Sequence, residues 1–182
     1  KKFKELPIMM KTMTAKADLS SSSLFDQANE AWEAGNLTAA FSLLNASVSE
    51  GDKNAFNSLG YFFDYGLGVP ADSAKALYWY KKAAQSGEVC AYANIGLLYL
   101  NRGNLRQAKF WLGKAIEKGD GDAALEMAKL FLGTNSKRNR RIAVSYLKAV
   151  LDAKSTVEES IEEATRLLAQ LTESERMAEG PD

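Results

Sequence analysis

Residues 55–87 read Ala55-Phe-Asn-Ser-Leu-Gly-Tyr-Phe-Phe-Asp-Tyr-Gly-Leu-Gly-Val-Pro-Ala-Asp-Ser-Ala-Lys-Ala-Leu-Tyr-Trp-Tyr-Lys-Lys-Ala-Ala-Gln-Ser-Gly87. Ala55, Leu59 and Phe63 recur at helical spacing and make one apolar stripe, which predicts a first helix, A. After the turn-forming Gly66-Leu-Gly68-Val-Pro-Ala71 a second stripe, Ala76, Trp79, Tyr80 and Ala83, predicts a helix B. Small residues alternate with aromatic ones, so a large side chain from one helix can fill the space above a small one on the other. Gly87 then supplies the left-handed residue that ends a helix.

The same unit recurs on both sides. Gly51, Gly87 and Gly119 close successive hairpins at spacings of 36 and then 32 residues, the difference falling in one loop. Gly35, Asn36, Leu37, Ala40, Leu44, Gly51, Asp52 and Ala55 reappear 68 places on, which is two repeat lengths. Helix A of the next copies carries Ala91, Ile95 and Tyr99, then Ala123, Met127 and Phe131. Helix B carries Ala108, Trp111, Leu112 and Ala115, then Ala143, Tyr146, Leu147 and Val150. Gly60 and Gly96, with Ala128 in the third copy, leave that stripe without a bulky side chain and let the paired helix approach. Glycine in mid-helix costs roughly 1 kcal/mol against alanine, so its recurrence points to packing.

These patterns divide the chain into an N-terminal arm (1–19), repeats (20–154), a C-terminal capping helix (155–178) and a tail (179–182). Ser23 with Asp26 caps the first helix, whose inner stripe is read as Leu24, Ala28 and Ala31. Ser155-Thr-Val-Glu158 has capping-box spacing, and Val157, Ile161, Ala164, Leu168 and Leu171 form the stripe of a final helix with an acidic outer side. The predicted fold is all-α, an α-solenoid of about four helix hairpins closed by a polar-backed terminal helix.

The 55–87 unit closely resembles a Sel-one-like repeat, a relative of the tetratricopeptide repeat. The resemblance rests on Leu59-Gly60, the Gly66-Leu-Gly68-Val69 loop, Asp72, Lys75-Ala76, Trp79-Tyr80 and Lys82-Ala83-Ala84 before Gly87. Residues 88–119 keep the helical signature without the loop, and residues 20–51 and 120–151 are more degenerate. The resemblance implies right-handed superhelical stacking with helix A lining the concave side, a protein-binding role and no enzyme activity. Family members include bacterial signalling adaptors, secretion and envelope factors, and immunity proteins that neutralise effectors of type VI secretion. Some exported members are cross-linked by cysteine pairs, which this chain lacks.

Composition removes whole classes of chemistry. Histidine is absent, so histidine-assisted nucleophilic catalysis and the commonest metal ligand are missing. Cys90 is the single cysteine, with no base identifiable beside it, and is read as a packing residue. Lysine plus arginine equals aspartate plus glutamate at 23 each, which gives no general field for nucleic acid. Local charge is uneven, with Lys1, Lys2, Lys4, Lys11 and Lys16 against Glu5 at the start and glutamate dominating after Val157. No apolar run reaches the roughly 20 residues that span a bilayer. No cofactor, metal or small-molecule substrate is expected. The first residue is lysine, so the start is a processed or a trimmed one, and a removed export signal would place the chain in the bacterial periplasm.

Partner contact is expected on the side of helix A away from helix B. By register this side presents Phe25, Asn29 and Trp32, then Asn57, Tyr61 and Asp64, then Leu97 and Leu100, then Leu125 and Lys129. Tyrosine and tryptophan bury large areas at low entropic cost and suit such a role. An alternative is that Phe25 and Trp32 pack against the arm. Lys137, Arg138, Arg140 and Arg141 form a basic cluster, read as lying in the loop before the last helix B, that suits an anion or an acidic partner surface. Glu158, Glu159, Glu162 and Glu163 read as a solvated face. Gly66-Leu-Gly68-Val-Pro-Ala71 superficially fits a dinucleotide fingerprint but follows a helix where that motif follows a strand. The expected occupant is another protein, a secreted toxin or an envelope component.

Overall fold

The computed structural model describes residues 23–134 and 136–179, with side chains through Ser174. The arm expected at 1–19 and residues 180–182 of the tail lie outside the described residues. The helices are α1 (Leu24–Glu33), α2 (Leu37–Ser49), α3 (Ala55–Tyr65), α4 (Ser73–Gln85), α5 (Val89–Asn101), α6 (Leu105–Glu117), α7 (Gly121–Leu132), α8 (Lys137–Asp152) and α9 (Glu158–Glu179). Among the described residues the only other regular pairing is an isolated bridge between Asp120 and Ser155. The fold is all-α, of the α-solenoid class, with the packed pairs α1–α2, α3–α4 and α7–α8 among its helices and α9 against the last of them.

Helix boundaries follow from short polar side chains and glycine. Ser23 and Asp26 make a complete capping box at the start of α1, and Asn36, Asp72, Asn104, Asp120 and Ser136 cap α2, α4, α6, α7 and α8. Each helix B with a repeat following it closes in the same way. Gly51, Gly87 and Gly119 have φ of 91°, 99° and 91°, and the next residue's N–H reaches back to the carbonyl of Ser47, Ala83 or Ala115. This is the Schellman closure, which an L side chain at the glycine position would strain.

The chain forms two compact units, one up to Leu98 and one from Tyr99. In the first, Phe25 and Ala28 of α1, Ala40 and Leu44 of α2, Ala55, Leu59 and Phe62 of α3, and Leu67 of the following loop make one core. Against α3, α4 buries Ala76, Tyr80 and Ala83. A Cβ at Gly60 would run into the Tyr80 ring, so the glycine expected to permit close approach does so. The inner stripe of α1 differs from the expected one: Phe25 is buried and Leu24 only half-buried, a rotation of one position.

In the second unit Ala124, Leu125 and Ala128 of α7 pack with Ala143, Leu147 and Val150 of α8 and Ala164 of α9. Leu167, Leu168 and Leu171 extend the α9 contact, whereas Ile161, expected on that stripe, is 39% exposed. The segment entering α9 is tied to the start of α7. The Gly121 amide donates to the Ser155 carbonyl at 2.8 Å, the Ser155 amide to the Gly119 carbonyl at 3.3 Å, and the Val157 amide to Asp122 Oδ1 at 3.3 Å.

Two glycines should respond oppositely to alanine. Gly60→Ala overpacks against Tyr80 and should destabilise the first unit by about 1–2 kcal/mol despite better helix propensity. Gly113, in α6 with nothing within 4 Å of its Cβ position, should stabilise by about 0.5–1 kcal/mol when changed to alanine. Thermal melts by circular dichroism check both signs.

Candidate docking face

In the first unit α1 and α3 bring several of the expected residues together. Trp32 of α1 packs on Tyr61 of α3, centroids 5.5 Å apart, and edge-on to Phe62 at 4.7 Å. Tyr61 stacks on Tyr65, one turn later, at 4.3 Å. Between them in sequence Asp64 accepts the Tyr80 hydroxyl hydrogen bond, 3.4 Å from Oδ2. Trp32, Tyr61 and Asp64 are half-buried, and Tyr65 is 59% exposed. Burial, then the charges of Tyr65 and Asp64, pushes the Tyr61 phenol up to about 12; burial and Asp64 also raise Tyr65. Burial above all, helped by Asp64, holds Tyr80 well above its ordinary value. These phenols remain neutral donors at physiological pH.

The other expected residues divide by depth. Phe25 belongs to the core, because the one-position rotation of α1 turns its ring inward; it is removed from the docking face. Asn57 is 7% exposed, and its Oδ1 accepts from Asn94 Nδ2 at 2.9 Å, so it links α3 to α5 beneath the surface and is no open contact. Asn29, one turn before Trp32, has a buried Oδ1 with no donor among the described residues. Leu97 is half-buried on α5. In the second unit Leu100 is half-buried, but Leu125 is packed into the core by α8 and α9 and is likewise removed. Lys129 is not an open cation: Nζ lies 3.1 Å from Glu126 and 3.0 Å from Glu163 of α9. That pair also takes Glu163 out of the simple solvated face expected for it.

Tyr65 and Asn94 were not anticipated. Tyr65 carried a signal, standing four residues after Tyr61, whereas Asn94 sits one position off the repeat register of Asn57. The basic cluster occupies the first turns of α8, behind the Ser136 cap, and not a loop; Lys137, Arg138 and Arg141 are exposed and Arg140 half-buried. Gly66 and Gly68 are turn residues with φ of 68° and 64°, and an added Cβ at Gly68 would meet the Leu37 carbonyl oxygen at 2.6 Å, which leaves no room for a phosphate. Cys90 is half-buried with Sγ 3.6 Å from Glu88 Oε1.

Three segments of the chain, residues 57–88, 91–120 and 121–149, match the Sel1 repeat and together make up half of its length. The chain belongs to the Sel1 repeat family. The matched segments cover the helix pairs from α3 to α8, and the first pair lies outside them. Mouse protein sel-1 homolog 2 is 31% identical over 99 residues, 52% of this chain and 14% of that protein. An Arabidopsis thaliana protein named as the ERAD-associated E3 ubiquitin-protein ligase component HRD3B is 30% identical over 110 residues, 57% of this chain and 17% of that one. The chain thus spans under a fifth of these two relatives. Among solved structures, a Sel1 repeat protein from Oxalobacter formigenes aligns with a TM-score of 0.60 and 28% identity, covering 72% of this chain and 55% of that one. A protective antigen of uropathogenic Escherichia coli with an SLR fold aligns at 0.61 and 25%, covering 71% and 30%. Sel1 repeats are generally protein-interaction scaffolds.

One carboxylate of this Sel1 repeat chain is poised to titrate. Burial raises Glu88 from 4.5 to about 7, partly offset by the Cys90 contact. The folded state therefore binds the proton more tightly than the unfolded chain, and this group's contribution to stability falls as pH rises from about 4.5 to 7. Glu88→Gln should leave stability unchanged near pH 4 and raise it by about 1–2 kcal/mol at pH 8, measured by urea denaturation at both pH values.

Proposed function

We propose that the chain is a non-enzymatic protein-binding module whose first unit docks a partner on the face of α1 and α3 that carries Trp32, Tyr61 and Tyr65. The observation that supports this most directly is the aromatic row itself: three rings within 5.5 Å of their neighbours, open to solvent at Tyr65, on a family fold that generally serves protein interaction. Rings already stacked on one another lose little freedom on binding, which lowers the ordering cost of association. The histidine-free composition supports the absence of catalysis.

Within this proposal the occupant is a secreted toxin that the chain blocks, or a component of bacterial envelope signalling or secretion, with the periplasm as its place. Protection of cells on co-expression with a neighbouring toxin gene separates the first from the second, and cell fractionation checks the compartment. For the face itself, affinity capture followed by mass spectrometry names the partner. The double substitution Tyr61→Ala, Tyr65→Ala should then weaken its binding at least tenfold with helix content unchanged, whereas Tyr78→Ala, on α4 and 52% exposed, should leave it intact. The opposite pattern would move the site to the helix-B side.

A further inference from the structure

Two charged clusters lie apart from the aromatic row, and each stands at the end of its helix where the peptide dipoles oppose it. Anionic side chains are favoured near a helix N-terminus and cationic ones near a C-terminus. In α1 the last turn carries Glu30 and Glu33 and no basic residue. In α8 the first turns carry Lys137, Arg138, Arg140 and Arg141 and no acidic residue. Glu30, Glu33, Lys137, Arg138 and Arg141 are exposed, and among the described residues none of these side chains is in an ion pair. Like charges three or four residues apart on a helix also repel one another. Helix stability therefore explains neither cluster.

The same opposition runs through the chain. Acidic residues outnumber basic ones by eight to four over residues 23–98, basic outnumber acidic by twelve to five over 99–154, and the whole chain balances at 23 each. A chain with no net charge meets no overall repulsion from a second copy, while its separated charges attract. We propose that the chain self-associates through these clusters, the Lys137–Arg138–Arg141 patch of one copy taking the Glu30–Glu33 patch of the next. At 1.5 Å per residue, Glu30 and Glu33 are about 4.5 Å apart along α1, and Arg138 and Arg141 are spaced alike along α8, so two carboxylates meet two guanidinium groups in register. The contact sets the negative end of the α1 dipole against the positive end of the α8 dipole and relieves the charge that each helix disfavours. Each copy keeps one patch of either sign open, so copies add in sequence into a chain or a closed ring. Trp32, Tyr61 and Tyr65 take no part, which makes this surface independent of the docking face.

Exposed ion pairs are individually weak, so the association is weak and governed by salt. The test is sedimentation equilibrium of the full chain over a concentration series, at about 0.01 M salt, where the Debye length is about 30 Å, and at about 1 M, where it is about 3 Å. At low salt the mean mass should climb above 19.9 kDa with concentration, and at high salt it should return to that value. Glu30→Gln, Glu33→Gln in one variant and Lys137→Gln, Arg138→Gln, Arg141→Gln in another should each weaken association at least about tenfold with helix content unchanged. Mixed in equal amounts, the two variants should form a one-to-one pair and nothing larger, because each keeps one intact patch. A monomer at every concentration, or association that persists at high salt, overturns the proposal. Loss in the α8 variant but not in the α1 variant overturns the pairing and gives the anionic half to another acidic surface. Association that appears only after Lys1, Lys2, Lys4, Lys11 and Lys16 are changed to glutamine overturns it too, and assigns the α1 charge to the chain's own N-terminal segment.

Discussion

The ring of Tyr80 occupies the space that a side chain at position 60 would fill, and the rest of the first unit depends on that contact. Glycine in mid-helix weakens α3 on its own, and it is tolerated because it lets α4 come close enough to bury Tyr80 completely alongside Ala76 and Ala83. With the helix pair fixed at that distance, the Tyr80 hydroxyl reaches Asp64 at 3.4 Å and the α3 residues Leu59 and Phe62 are held in the core. The same geometry decides what is left over. Asp64 is held by α4 through Tyr80, Tyr61 sits at the edge of the core against Trp32 of α1, and Tyr65 packs on Tyr61 and stands out into solvent.

Electrostatics then gives that surface its character. Acidic residues accumulate on the helices that carry the aromatic row, while Lys75, Lys81 and Lys82 belong to α4. Asp64 has two roles on this account: it anchors the one phenol that closes the helix pair and lends negative charge to the face beside it. In the second unit the corresponding part of α7 is spent differently. Leu125 is covered by the following helices and Lys129 is bound by Glu126 and Glu163, so α9 closes that unit where the first unit leaves a surface.

How much of this the residues announce in advance varies with how local the cause is. Stripes such as Ala76–Tyr80–Ala83 and Ala108–Leu112–Ala115, the capping box at Ser23, and the three glycine closures are set by neighbours within one or two turns, and they are legible. The close approach at Gly60 is legible because a costly residue needs a packing reason. Phe25 is misplaced by one position because the first repeat is degenerate and Leu24 and Phe25 are equally apolar. The burial of Leu125, the engagement of Lys129 and the Asn57–Asn94 link arise from helices far along the chain, which no local period encodes. Ser136, a cap followed by basic residues that oppose the helix dipole, hides the start of α8 and makes its first turns read as loop.

Hydrogen exchange of the chain, free and bound to its captured partner, tests the central claim most directly. The account predicts that binding slows exchange in the C-terminal halves of α1 and α3, around Trp32 and around Tyr61 to Tyr65, and leaves α2 and α4 unchanged. Protection confined to α2 and α4, or to the second unit, would contradict it.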